Sequence, residues 1–134
     1  MPQFNKHSQR NLLTCHHDLQ LIFSAVEREI DCDIRCGYRS EPEQEWAFDR
    51  GESQVHWPRS PHNEKPSMAV DVVPQEMDAA DLRHWYWFGG YVKGLADRLY
   101  AEGIVTHRVR WAGDSSDQPI SEYSHFEIYL PEKH

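Results

Sequence analysis

The chain has no apolar run near the ~20 residues that a membrane span requires, and charges break its longest hydrophobic stretches. The first ten residues, MPQFNKHSQR, lack the apolar segment of a secretory leader. Synthesis is therefore expected to end in the cytoplasm, with work outside the membrane needing another exit route. Positive charge is scarce: 14 Lys and Arg face 22 Asp and Glu, a formal net charge of −8. Such a chain repels phosphates and has no basic stripe with interleaved aromatics, which excludes nucleic acid as a partner. The same sign opposes unaided adhesion to anionic surfaces. There are only three cysteines, Cys15, Cys32 and Cys36, an odd number without an export signal, so reduced thiols are expected. Cys32 and Cys36 are read as small buried hydrophobes on one face of a strand, beside Ile34 and Tyr38. There is no repeat, low-complexity tract or linker, so residues 1–134 read as one domain with its core over about 13–130.

Hydrophobic residues make up 39% and aromatics 12%, enough for 134 residues to bury a single core. Leu19, Ile22, Phe23, Val26 and Ile30 recur at helical spacing, which predicts a helix from about Thr14 to Ile30. Asp33 to Tyr38 reads as a strand. Ser40 with Glu43 forms a capping box for a short helix ending near Gly51. The polar, proline-bearing stretch 52–67 reads as a loop, and Met68 to Val73 as a strand. Asp78 is expected to cap a long helix with Leu82, Trp85, Val92, Leu95 and Leu99 on one side and Gly103 at its end. Two further strands are expected near His107–Trp111 and Ser124–Leu130. The order predicts an α+β fold: a small antiparallel sheet with helices on one face and an open zinc site on the other.

Alternation within the strands carries the chemistry. Ser124, Phe126, Ile128 and Leu130 share one face of the last strand, and His125, Glu127 and Tyr129 the other. In the middle strand Val70 and Val72 oppose Asp71. Apolar faces packed on helices leave Asp71 and His125 to converge on the open side. A catalytic zinc takes three His or carboxylate ligands and a water, and His62, Asp71 and His125 supply that set. Glu122, three residues before His125, is placed to move protons between water and leaving amine. Glu127 shares the face of His125 and is equally readable as its hydrogen-bond partner or as a solvated position. His16 and His17 are expected to be solvent-exposed, and His56, His84 and His107 to be surface or packing residues. Of Trp85, Tyr86, Trp87 and Phe88, consecutive on one helix, at least half are expected in the core.

Ser60-x-His62…Asp71 followed by Glu122-x-x-His125 resembles the paired motifs of the zinc D-Ala-D-Ala carboxypeptidase and L-alanyl-D-glutamate endopeptidase family. That family includes phage endolysins and vancomycin-resistance dipeptidases. The likeness runs from about Leu13 to Leu130. It takes in Gly37-Tyr38-Arg39-Ser40 with Gln44, and Arg110-Trp111-Ala112-Gly113-Asp114. The family's frequent Trp-Gly-Gly-Asp-Trp reads Trp-Ala-Gly-Asp-Ser here. The resemblance implies a Zn²⁺ peptidase acting on the peptide stems of bacterial peptidoglycan, at the L-Ala–D-Glu bond, as a phage or prophage endolysin. It implies Arg39 beside the substrate carbonyl, with Ser60, Gln44, Trp111 and Asp114 as substrate contacts. The alternatives are a D-Ala-D-Ala carboxypeptidase or dipeptidase, or a catalytically idle peptidoglycan-binding module. No separate wall-binding domain is expected. The enzyme should be a monomer, reaching the wall after holin-type export or lysis.

Overall fold

Two short helices open the fold, the first ahead of the segment where the spacing of apolar residues predicts a helix. The computed structural model describes residues 4–132. Asn5 starts α1 (Lys6–Leu13) by accepting the Ser8 N–H at 2.8 Å. Helix α2 (His17–Glu27) begins at His16, whose Nδ1 accepts the Asp18 N–H at 2.9 Å. The helix expected from about Thr14 to Ile30 runs only from His17 to Glu27, and it starts late because Thr14–His16 pairs with a distant loop. The Ser67 N–H donates to Thr14 O, and the His16 N–H donates to Ser67 O. These backbone groups cannot serve a helix and that bridge together. Leu19, Ile22, Phe23 and Val26 are all buried, as their period requires.

Four strands, β1 (Cys32–Cys36), β2 (Ala69–Pro74), β3 (Arg108–Trp111) and β4 (His125–Tyr129), form one antiparallel sheet ordered β1-β2-β4-β3. Its inward face carries Ile34, Val70, Val72, Phe126 and Ile128, packed with α2 and with α4 (Leu82–Ala101). Phe126 is fully buried, in edge-on contact with Phe23 and Phe88 and stacked with Trp111. Burying such a side chain stabilises the fold by roughly 1.5–3 kcal/mol, and it fixes which way its neighbour His125 points. Leu130 lies past the end of β4 and is exposed.

Asp81, rather than the expected Asp78, caps α4 by accepting the Arg83 N–H at 3.0 Å. Asp78 instead holds the Ala80 N–H in the preceding turn. Along α4 Trp85 and Phe88 are buried while Tyr86 and Trp87 are exposed, as about 100° of rotation per residue dictates. Leu82, expected on the buried side, is 44% exposed. Gly103 takes a φ of 76° just past the helix, a conformation that costs it nothing. Helix α3 (Glu41–Asp49) starts with the expected Ser40–Glu43 capping box. No described helix is long and apolar enough to cross a membrane.

Candidate metal centre

His62 sits in the short turn Pro61–Asn63, which the sequence around it builds. Ser60 Oγ accepts the His62 N–H at 3.1 Å, and Asn63 Oδ1 accepts the Ser60 N–H at 3.0 Å. The turn buries the imidazole almost completely, at 1% exposure. Asp71 and His125 are register partners on adjacent strands β2 and β4, so their side chains emerge together on the face away from the helices. Asp71 Oδ1 lies 3.1 Å from His62 Nε2 and 3.3 Å from His125 Nδ1. The three expected ligands therefore come together around one carboxylate oxygen.

The outer partners of the two rings decide what can lie between them. His62 Nδ1 donates to Gly37 O at 2.7 Å, and His125 Nε2 donates to Glu127 Oε1 at 2.8 Å. Each neutral ring then turns a lone pair toward Asp71, which is itself an acceptor. Such a facing of acceptors is stable only with a cation between them, either protons or a metal. Metal-bound histidines are held by outer hydrogen bonds of this kind. Two imidazoles and a carboxylate suit zinc better than magnesium or calcium, which favour all-oxygen shells. These residues fit the implied ion.

Without a metal, protons must supply the positive charge. Burial pulls the His62 pKa down, but the Asp71 charge and hydrogen bond, with Cys36, outweigh it and hold it at about 10. Burial also lowers His125, yet its bonds to Asp71 and Glu127 leave it raised. Burial would raise Asp71; the two histidines instead hold it far below the usual carboxylate range. The His62 contribution to stability is complete below its ordinary 6.5 and is lost as pH rises toward about 10. The Asp71 contribution is present above its ordinary 3.8 and is lost as pH falls. The metal-free chain should thus weaken on going from pH 6.5 to about 10, while zinc, which binds neutral imidazoles, removes that dependence. Zinc binding near neutral pH should release at least about one proton. Calorimetry in buffers of different ionisation enthalpy measures this, and a buffer-independent heat would contradict it.

The centre opens into a cleft of about 460 Å³ whose wall includes Arg39, Ser60, Trp111, Asp114 and Glu122. Arg39 is 8% exposed; its guanidinium donates to Asp71 Oδ2 at 3.3 Å and to Gln44 Oε1 at 3.1 Å. Burial raises the pKa of Glu122, with Asp71 adding to that rise and the charges of His125, Arg39 and His62 opposing it. Among the expected substrate contacts, Gln44 is fully buried behind Arg39. Its amide accepts from Arg39 and Asn63 and donates to Ser53 Oγ and Val55 O, so it positions the cleft wall instead of forming it. The Ser60 hydroxyl oxygen is engaged in its cap, and Trp111 is 2% exposed with its indole N–H on Tyr123 O. Asp114 is half-exposed and paired with Lys93.

No family model matches the chain, and no curated protein does. Among solved structures it resembles the crystal structure of the Serratia marcescens L-Ala D-Glu endopeptidase ChiX, with a TM-score of 0.69. The likeness covers 96% of this chain and 91% of that one, at 24% sequence identity. The two chains share a fold.

Two site neighbours were not decided by the sequence. Cys36 does not share the core face with Cys32: β1 bulges between Ile34, opposite Val72, and Cys36, opposite Asp71. The extra residue turns the Cys36 thiol to within 3.8 Å of His62 Nδ1. No local pattern announces that bulge. Glu127, readable two ways, is the acceptor for His125 and is also paired with Arg110 at 3.3 Å. Of the remaining histidines, His16 is a half-buried cap, not a solvated residue. His107 is buried against Asp18, its Nδ1 2.7 Å from Oδ2. That oxygen also receives the backbone N–H groups of Thr106 and His107, so a second gathering of His16, Asp18 and His107 is satisfied as a structural clasp.

Proposed function

We propose that the chain is a zinc-dependent peptidase that hydrolyses peptidoglycan stem peptides at the L-Ala–D-Glu bond. The observation that carries this reading is one cleft into which His62, Asp71, His125, Arg39 and Glu122 all open. Its fold neighbour from Serratia marcescens is an L-Ala D-Glu endopeptidase, and likeness over nearly the whole of both chains supports the same class of substrate. Held by His62, Asp71 and His125, zinc would polarise the scissile carbonyl and bring its water toward a pKa of ~7. Glu122 takes the proton of the attacking water and delivers it to the leaving amine. Its raised pKa moves it toward the value that favours this exchange at neutral pH. Arg39, clamped by Gln44 and Asp71, offers a preorganised positive charge to the oxygen that becomes negative. As an endolysin of phage type, the single domain would act as a monomer on the wall after holin-type export or lysis.

Digestion of purified muropeptides followed by mass spectrometry tests the reading. The expected products are muramyl fragments ending in L-Ala, together with free peptides beginning with D-Glu. Release of terminal D-Ala alone would replace the proposal with a D,D-carboxypeptidase. No cleavage by a zinc-loaded chain would favour a binding module.

A further inference from the structure

The bulge in β1 places a thiol beside the metal centre, and nothing in the proposed hydrolysis uses it. Cys36 is partly exposed, and its Sγ contacts His62 Nδ1 at 3.8 Å and Gly37 O at 3.6 Å. Ligand atoms of Cys36, His62 and Asp71 all lie within 4.8 Å of one another, one of two such gatherings among the described residues. Gly37 O already holds His62 Nδ1, so the ring is free to meet an ion through Nε2, the atom that faces Asp71. The His62–Asp71 pair thus has both His125 and Cys36 as neighbours.

We propose that Cys36 is an alternative third metal ligand, so that the His62–Asp71 pair can hold a thiophilic divalent cation with Cys36 in place of His125. A small side-chain rotation brings these three donors onto one ion. Binding takes the proton from the thiol and forms a metal–sulfur bond; no electron is transferred. Thiolate, imidazole and carboxylate together favour zinc or cadmium over magnesium, calcium or manganese. An ion held this way withdraws His62 and Asp71 from the His125 side. Cys36 is thereby an entry point for inhibition by cadmium or by excess zinc. The other two cysteines do not compete, being 2% and 1% exposed, and burial pushes the Cys15 thiol up to about 12.

The proposal shares His62 and Asp71 with the zinc reading but not its peptide chemistry, and cadmium separates the two. Cadmium is titrated into the wild-type chain, Cys36→Ser, His125→Ala and the double variant, each checked by circular dichroism for a native fold. Near-ultraviolet absorption reports thiolate-to-cadmium charge transfer, and elemental analysis gives stoichiometry. The expected result is about one cadmium in His125→Ala with a charge-transfer band. In the double variant the band should vanish and cadmium should bind at least about tenfold more weakly. A cadmium complex of His125→Ala without the band, or a band that persists in Cys36→Ser, overturns the proposal and leaves the zinc reading intact. If the wild-type chain binds neither zinc nor cadmium, both fall. Should His125→Ala fail to fold, cadmium spectra of the wild-type chain and Cys36→Ser make the same decision: a wild-type complex without the charge-transfer band overturns the proposal.

Discussion

His62→Ala should leave the chain without tightly bound zinc and with hydrolysis below detection. The imidazole is almost fully buried and faces Asp71 through Nε2. Alanine there would remove a proposed ligand and leave the Asp71 carboxylate with less of the positive charge that sustains it. Loss of an outer hydrogen-bond partner typically weakens a metal site about 10–100-fold. Loss of a ligand should exceed that. Glu127→Gln is the natural comparison, because it alters the acceptor of His125 Nε2 and the Arg110 ion pair but none of the three proposed ligands, and should keep zinc at reduced affinity. Zinc content by elemental analysis, beside turnover on murein, separates the two variants. Full occupancy in His62→Ala would strike His62 from the ligand set.

Glu122→Gln should retain zinc and lose activity by about 10²–10⁴-fold, the usual worth of a positioned general base. Glutamine keeps the shape of the side chain but cannot accept a proton at neutral pH. Glu122 belongs to the turn Ile120–Glu122, which the chain passes through just before β4 carries His125 into the centre. Its carboxylate is half-buried on the cleft wall, and burial raises its pKa. The pH profile of kcat/KM gives a second readout, since the acidic limb set by this carboxylate should disappear in the variant. Turnover within a few-fold of wild type would remove Glu122 from that role and direct attention to Glu127.

Much of the centre was legible because strand alternation is a local rule. Val70 and Val72 had to face a core, which turned Asp71 outward; Phe126 and Ile128 did the same for His125 and Glu127. The helical period found the buried stripe of α2, and the Ser40–Glu43 box found the start of α3. Boundaries were less legible. The break at Thr14–His16 depends on Ser67, more than fifty residues away, and no property of the N-terminal segment announces it.

What residue order determined on its own was therefore the α+β class, the faces of the strands and the donors available to a metal. Tertiary structure decided which of those donors meet. The pairing of Asp71 with His125 is a register between strands 54 residues apart, set by the packing of Phe126 and Val70 against the helices. The fate of Gln44, buried as a brace for Arg39, depends on Asn63, Ser53 and Val55 closing around its amide. Cys36 is the sharpest case. Strict alternation assigns it to the core with Cys32, and a single extra residue in the β1–β2 ladder turns it toward His62. Periodicity is written along one strand, whereas a bulge is a compromise between two, and only the folded sheet contains both.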